Sequence, residues 1–104
     1  MPKLVRPEDQ SPEIDRFISV FGNRARLSII RFLQANGPSL RIDISEALDM
    51  AKPTLGHHLA ELEELGVLNA DLPPERRRGR TVRYSVNQEA VDELLQAPQN
   101  YIFD

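Results

Sequence analysis

Two adjacent histidines, His57 and His58, are the first residues whose types suggest chemistry, and they are the only histidines in the sequence. Neighbouring side chains on a helix point about 100° apart, so the pair cannot form the i, i+4 arrangement of a helical metal site. Neither histidine has a serine or a carboxylate at a recognisable catalytic spacing. The lack of cysteine also excludes disulfides, thiolate metal sites and cysteine nucleophiles. We therefore expect no enzymatic activity, no metal and no cofactor.

Arginines form the second group of candidates. Residues 76–83 read RRRGRTVR and contain five arginines without an acid, whereas residues 87–104 contain four acids without a base. The formal net charge of -3 argues against a general polyanion binder, but the placement of charge decides whether a nucleic acid can dock. The basic segment favours contact with phosphate, and a solvated loop is the alternative.

Apolar residues recur at helical spacing through the first two thirds of the chain and predict four helices there. The predicted helices cover residues 12–22, 24–36, 39–48 and 52–65. Ser11 and Asn23 are the expected N-caps of the first two helices, and Gly66 closes the fourth. The third helix opens at Ser39 and is barely two turns long.

The second predicted helix combines a dense apolar stripe with three arginines. The stripe consists of Ala25, Leu27, Ile29, Ile30, Phe32 and Leu33. Arg24, Arg26 and Arg31 are therefore expected on the wetter sides of this helix. For Arg24 and Arg26, contact with phosphate and plain solvation are both open.

After Gly66 the pattern changes from helical to alternating. A short strand begins with Val67 and Leu68, and TVRYSV at residues 81–86 alternates apolar with polar residues. The intervening LPPERRRGR is expected to be the tip of a hairpin, and a last helix follows over about residues 88–95. The predicted fold is mainly α with a small β-hairpin (α+β), a winged helix-turn-helix of about five helices with a two-stranded wing.

The chain is the size of one globular domain, with 104 residues of which 40% are hydrophobic. We expect a flexible N-terminal arm at residues 1–10, a DNA-binding domain at residues 11–95 and an irregular C-terminal tail at residues 96–104. No window is as long and apolar as a membrane span, and MPKLVRPEDQ lacks the apolar core of a signal peptide. These features favour a cytoplasmic protein that does not contact membranes.

The fourth predicted helix has the charge distribution of a recognition helix. On a helical wheel Leu55, Leu59 and Leu62 cluster on one side, with His57 roughly opposite. The basic and neutral polar residues occupy the N-terminal half, and three glutamates occupy the C-terminal half, where they are expected to face solvent. Only the N-terminal turns of a recognition helix approach DNA, so acids further along do not repel phosphate.

The candidate DNA-binding residues lie in this helix and in the basic wing, which covers residues 73–83. They are Lys52, Pro53, Thr54, Gly56, His57, His58, Arg76, Arg77, Arg78, Arg80 and Arg83. His57 is expected to contact a base edge or a phosphate, and Gly56 to let the backbone approach DNA or another helix. His58 lies at the edge of the apolar face, where a half-buried histidine bonded to a nearby backbone group is preferred over direct DNA contact.

Three segments resemble the ArsR-like winged-helix transcription regulators. They are FGNRARLSIIRFL, DISEALDMAKPTLGHHLAELEELGVL and RRGRTVRYSV, and the resemblance covers roughly residues 16–95. PTLGHHLAELEELGVL is the most specific part because the family typically carries there a threonine, a small residue, a histidine pair and a glycine-terminated helix. The resemblance implies a repressor-type regulator that binds double-stranded DNA, commonly as a homodimer through its first and last helices.

The chain departs from the family pattern at several positions. Family members that sense metals use cysteines, or acidic and histidine ligands in the terminal helix, and this chain has neither. Asp49 replaces the usual turn glycine, and Ala51 replaces the usual capping serine or threonine. The expected dimer residues are Ile14, Phe17, Ile18, Phe21, Val91 and Leu94, supported by further apolar residues at Tyr101, Ile102 and Phe103. Packing within a single core is the alternative for all of them.

Two other functions fit the same scaffold. Winged helices also serve as protein-interaction modules, which usually lose the basic wing and the polar recognition face, and this chain retains both. A DNA-binding accessory factor of plasmid or phage replication or recombination is the second alternative. The operator, any small-molecule or protein effector and the direction of regulation do not follow from the sequence.

Overall fold

The computed structural model describes residues 11–103, which form five α-helices and a three-stranded antiparallel sheet. The helices are α1 (Pro12–Phe21), α2 (Arg24–Asn36), α3 (Arg41–Leu48), α4 (Lys52–Glu64) and α5 (Gln88–Phe103). The strands are β1 (Ser39–Leu40), β2 (Leu68–Ala70) and β3 (Arg83–Val86). Within residues 11–103, no helix has the length and apolar character needed to cross a membrane. The expected arm at residues 1–10 lies outside the described residues.

Side-chain caps fix where the first two helices begin, as the sequence predicts. The Ser11 hydroxyl accepts from the Ile14 amide, and the Asn23 Oδ1 accepts from the Arg26 amide at 3.0 Å. Gly37 ends α2 with a φ of 74°, a conformation that glycine adopts without a steric penalty. Local interactions therefore determine where α1 and α2 begin and where α2 ends.

A tight turn joins α3 to α4. Asp49 adopts the left-handed conformation, with φ and ψ both 49°, in place of the glycine expected from the family pattern. The Ser45 hydroxyl donates to the Met50 carbonyl at 2.7 Å, and the Met50 amide donates to the Ser45 carbonyl at 3.1 Å. The two hydrogen bonds close the turn that follows α3.

The sheet has the order β1-β3-β2, and β2 and β3 form the predicted hairpin. The added strand is β1, in which Ser39 pairs with Tyr84 and Leu40 pairs with Arg83. The expectation that α3 opens at Ser39 is therefore wrong, because this residue extends to pair with β3 and α3 begins at Arg41. Long-range pairing has overridden the local helix-capping preference of serine.

The core draws buried side chains from all five helices and the sheet, and α1 and α5 also pack against each other. Leu55, Leu59 and Leu62 of α4 are fully buried, as the helical wheel predicts. Leu27 differs from the rest of its predicted stripe, since it is 44% exposed. Tyr84 is the buried aromatic residue of β3 and connects the core to the base of the wing.

The predicted tail at residues 96–104 is not irregular where it is described, because α5 continues to Phe103. Pro98 lies inside this helix, where it removes one backbone hydrogen bond. Val91, Leu94 and Ala97 are buried at a spacing of three residues and form the side of α5 that packs on α1. Burial of this stripe explains why the helix persists past a residue that normally ends one.

Candidate nucleic-acid interface

The N-terminal turns of α4 present four exposed side chains. Lys52, Pro53 and Thr54 are exposed, and the side chain of His57 is 66% exposed. Thr54 and His57 are three residues apart and therefore lie on the same side of the helix. The opposite side is the buried leucine stripe, so the helix is fixed with these residues directed outward.

The N-terminus of α4 has unusual electrostatics for a helix of 13 residues. Among the described residues, no side chain caps its first amides, because Ala51 occupies the N-cap, and its first turn contains no acid. The amides of Lys52 and Thr54 thus remain available, and the helix dipole is not neutralised. Such an end attracts anions, including phosphate.

Gly56 lies beneath an arginine of the preceding helix. A Cβ built at Gly56 would be 3.6 Å from Nη1 of Arg41, which is an ordinary van der Waals contact. Arg41 is the first residue of α3, and its Nη2 also donates to the Tyr84 hydroxyl at 3.4 Å. A methyl group would therefore fit against Arg41, so close helix packing does not require a glycine here, and the approach of the backbone to DNA stays a prediction.

His58 is half-buried and hydrogen-bonded, although its partner is a side chain instead of a backbone group. Nε of Arg26 donates to Nδ1 of His58 at 3.1 Å. Burial and the adjacent Arg26 guanidinium lower the pKa of His58, and His57 adds to this effect while Glu61 opposes it. The neutral imidazole that accepts this bond belongs to the support of α4, and its Nδ1 is not free for DNA.

Arg26 is the functional residue that sequence reasoning misplaced. It is 6% exposed, not on a wetter side of α2, and its guanidinium reaches two other helices, α1 and α4. Besides His58, it donates to the Ser19 carbonyl and hydroxyl on α1 and to Glu61 Oε2 at 3.3 Å on α4. Its spacing gave a usable signal, because residues 26, 30 and 33 recur at the period of the buried face.

The arginine segment forms the long connection between β2 and β3. Arg76, Arg78 and Arg80 are exposed, and Gly79 has a φ of 70° in the turn closed by the Arg80 amide and the Arg77 carbonyl at 2.9 Å. Asp71 secures the base, since its carboxylate accepts from the Arg83 amide at 3.0 Å. Three wing arginines thus extend into solvent from a braced turn, and the exposed Arg83 lies at its base.

Arg77 is arranged differently from the other wing arginines. Its guanidinium donates to Glu63 Oε2 at 2.5 Å and to the Leu72 carbonyl at 2.8 Å, and its side chain is 22% exposed. The hydrogen bond to Glu63 raises the pKa of Arg77. This arginine fastens the wing to α4, so its charge is used within the chain and not left free for phosphate.

The sequence led us to expect that the glutamates of α4 face solvent, but two of the three form ion pairs. Glu61 pairs with Arg26 and Glu63 pairs with Arg77, while Glu64 is exposed. Oε1 of Glu61 also lies 3.7 Å from Nε2 of His57. The acidic half of α4 therefore anchors the helix to α2 and to the wing.

The six residues expected at a dimer interface divide into two groups. Ile14, Val91 and Leu94 are buried within the single chain, which corrects the expectation that they meet a partner. Ile18 is exposed, and Phe17 and Phe21 are half-buried with ring centroids 5.3 Å apart. Further exposed apolar side chains lie on the last turns of α5, at Leu95, Tyr101, Ile102 and Phe103.

Among residues 11–103, no three histidine, aspartate or glutamate side chains are grouped closely enough to hold a metal ion. His57 and His58 have ring centroids 5.8 Å apart and are tilted by 55°, so they do not converge on a common point. The two histidines have different surroundings, since His57 faces outward and His58 lies against α2.

Comparisons with known proteins agree with this architecture. A model of the bacterial regulatory proteins of the arsR family matches residues 23–70. An HTH-type transcriptional regulator of Methanocaldococcus jannaschii is 31% identical over 75 residues, which are 72% of this chain and 79% of that protein.

Two solved structures share the fold. One is a homodimeric winged helix-turn-helix DNA-binding domain from Mycobacterium bovis, with a TM-score of 0.62 and 23% identity over 86% of this chain and 84% of that one. The other is a transcriptional regulator from Thermotoga maritima, with a TM-score of 0.58 and 23% identity. The match covers 86% of this chain and 65% of the Thermotoga chain. The family match, the sequence relative and the fold together show that this chain belongs to the ArsR family of winged helix-turn-helix transcriptional regulators, which are DNA-binding proteins and not enzymes.

Proposed function

We propose that this chain is a repressor-type regulator that binds double-stranded DNA sequence-specifically, with α4 in the major groove. The observation that carries the proposal is the N-terminus of α4, which is uncapped by any described side chain, free of acids and lined by exposed Lys52, Thr54 and His57. Thr54 and His57 contact base edges, and Lys52 and the free amides contact phosphate. Pro53 and Gly56 flank these contacts.

The wing supplies contacts that do not depend on sequence. Arg76, Arg78 and Arg80 are exposed on a turn that Arg77 and Asp71 hold in place. Arg83 extends the same charge to the base of the wing. Their guanidinium groups bind the backbone or enter the adjacent minor groove, where the negative potential is strong.

We infer that the regulator acts as a homodimer on a roughly palindromic site. The Mycobacterium bovis domain of the same fold is described as homodimeric. In this chain Ile18, Ile102 and Phe103 are 53%, 67% and 79% exposed. Covering such side chains contributes about 1.5–3 kcal/mol each when burial is complete, which favours a second copy over solvent.

The test begins with selection of bound sequences from a random duplex pool, followed by fluorescence anisotropy on the selected and a scrambled duplex. Thr54→Ala and His57→Ala each weaken the selected duplex by about 1–3 kcal/mol and leave the scrambled one nearly unchanged. Arg78→Ala and Arg80→Ala weaken both duplexes and reduce the salt slope by about one.

Arg31→Ala is the matched control because Arg31 is exposed on α2, outside the proposed contacts. It should bind both duplexes like the wild type, apart from a small loss from net charge. A wild-type affinity for duplex DNA no greater than that of an unrelated acidic protein would overturn the proposal and favour a protein-interaction module. If the wing variants bind duplex DNA as tightly as Arg31→Ala does at low salt, the proposed role of the wing in DNA binding is wrong.

A further inference from the structure

A pocket of about 550 Å³ lies between the start of α3 and the wing. We call it the wing pocket, and its walls include Arg41, Ile42, Arg80, Val82 and Tyr84. The volume falls in the range of about 300–1,000 Å³ that is typical of small-molecule sites. The wing pocket therefore has room for an organic ligand and not only for an ion.

The charge of the wing pocket is positive. Arg41, Arg77 and Arg80 line it, and within the described part of the chain none of its lining residues is acidic. Arg77 is neutralised by Glu63. Among residues 11–103, neither Arg41 nor Arg80 has a carboxylate within 4.0 Å, so both guanidinium groups are available to an anion.

The remaining walls are largely apolar. Leu40, Ile42 and Val82 contribute aliphatic surface, and Ile42 is 41% exposed. Tyr84 is 2% exposed, and its hydroxyl accepts from Arg41 Nη2. A bare phosphate would satisfy the arginines and leave this aliphatic surface wet, whereas an anion with an apolar body would cover both.

We propose that the wing pocket binds an amphiphilic organic anion, with its carboxylate between Arg41 and Arg80 and its apolar body against Ile42 and Val82. We also expect the ligand to change the affinity for DNA, and this effect rests on the proposed function. The Arg41 guanidinium lies beside α4, since a Cβ built at Gly56 would be 3.6 Å from its Nη1, and Arg80 belongs to the wing. A bound anion neutralises these charges beside the DNA surface and so opposes duplex binding.

The binding test uses 2-naphthoate as the probe, without DNA, and follows backbone amide shifts by NMR. The expected result is saturable binding with shifts centred on residues 40–42 and 80–84. Arg41→Gln weakens it about tenfold or more, through loss of a charge-assisted hydrogen bond, and Ile42→Ser weakens it through loss of apolar contact. Arg31→Gln, which makes the same charge change on an exposed site of α2, leaves it unchanged.

Two further ligands separate the contributions. The neutral analogue 2-naphthalenemethanol should bind much more weakly than 2-naphthoate. Inorganic phosphate should not displace 2-naphthoate when the two are present at equal concentration. Equal affinity of the alcohol would overturn the role of the arginines, and displacement by phosphate would overturn the role of the apolar wall. No shifts in the wing pocket at millimolar 2-naphthoate, or unchanged binding by Arg41→Gln, would overturn the site itself.

Coupling is measured last, by anisotropy on the selected duplex with and without saturating 2-naphthoate. The wild type should lose duplex affinity in the presence of the probe, and Arg41→Gln should lose much less. Equal duplex affinity with and without the probe would overturn the coupling. Because the binding test contains no DNA, failure of the proposed function leaves its result intact, and the two failures are distinguishable.

Discussion

At the scale of single residues, Arg26 decides how α4 is held. One guanidinium joins Ser19 of α1 to His58 and Glu61 of α4, and Arg26 itself is only 6% exposed. The planar group presents its donors in fixed directions, which a lysine could not reproduce. The arginine therefore sets the position of α4 relative to α1 and α2.

Arg26→Met should lower the free energy of unfolding by about 2 kcal/mol. The methionine keeps much of the aliphatic contact and removes hydrogen bonds that involve charged groups, which contribute about 1.5–3 kcal/mol. Urea unfolding followed by circular dichroism measures the change. Arg31→Met is the control for the same substitution at an exposed site of α2. Equal stability of the two variants would show that the buried network contributes nothing.

His58 should make stability depend on pH. The pKa of His58 is lowered in the folded protein from its ordinary value of about 6.5. Below about pH 6.5 the unfolded chain therefore binds a proton at His58 more readily than the folded protein does. The stabilisation is thus fully present above about pH 6.5 and is lost as the pH falls toward the lowered folded pKa. The charged or titratable groups around the ring are Arg26 on α2 and His57 and Glu61 on α4.

His58→Asn tests this contribution, because asparagine offers an acceptor near the place of Nδ1 and does not titrate. Urea unfolding of the variant between about pH 5 and 7 should show a shallower fall in stability than the wild type. His57→Asn removes only one of the smaller causes of the lowered His58 pKa, so it should flatten the slope less than His58→Asn does. A slope that His58→Asn leaves unaltered would assign the pH dependence to other groups.

At the scale of elements, the helices differ in how their N-termini are capped. α1 and α2 begin at good caps, whereas α4 begins at an alanine and leaves its first amides to other partners. Gly56 adds a further cost to α4, because glycine in a helix interior is less favourable than alanine by about 1 kcal/mol. α4 is therefore held more by its buried leucines and its two pairs with Arg26 and Arg77 than by local propensity.

Gly56→Ala should stabilise the protein by about 0.5–1 kcal/mol, because the added methyl meets Arg41 at an ordinary contact distance. Gly66→Ala is the contrasting variant. Its φ of 80° strains any side chain, so the substitution should destabilise the protein by roughly 1 kcal/mol. Thermal unfolding of both variants measures the two signs. Destabilisation by Gly56→Ala would indicate that Arg41 cannot yield to the methyl group.

At the scale of the whole molecule, charge and apolar surface are separated. Four exposed arginines lie in the wing or at its base, and the two most exposed large apolar side chains of the described residues, Ile102 and Phe103, lie at the end of α5. A net charge of -3 for the chain thus conceals a positive surface suited to DNA. The end of α5 remains as the surface on which a second copy would pack.

The double variant Ile102→Ser, Phe103→Ser should shift the protein from dimer toward monomer, because it removes the two most exposed large apolar side chains of the described residues. Analytical ultracentrifugation over a concentration series measures the shift. Ile42→Ser is the matched control, since it removes an exposed apolar side chain from α3 instead. A wild type that sediments as a monomer throughout would contradict the dimer.

The sequence by itself determined the order of the five helices and the hairpin, the caps Ser11 and Asn23, the leucine stripe of α4 and the outward position of His57. These features follow from periodicity and from hydrogen bonds that span three or four residues, which the sequence displays directly. The resemblance of the histidine segment to the ArsR-like regulators led to the family that the comparisons then showed.

Only the tertiary structure decided which polar residues serve the fold. Arg26, His58 and Glu61 meet across two helices, Arg77 crosses from the wing to Glu63, and the third strand forms because Ser39 pairs with Tyr84. The extension of α5 through Pro98 likewise depends on its packing against α1. Each of these contacts joins residues far apart in the chain, and an arginine has the same local propensities whether its charge meets a carboxylate, a phosphate or water.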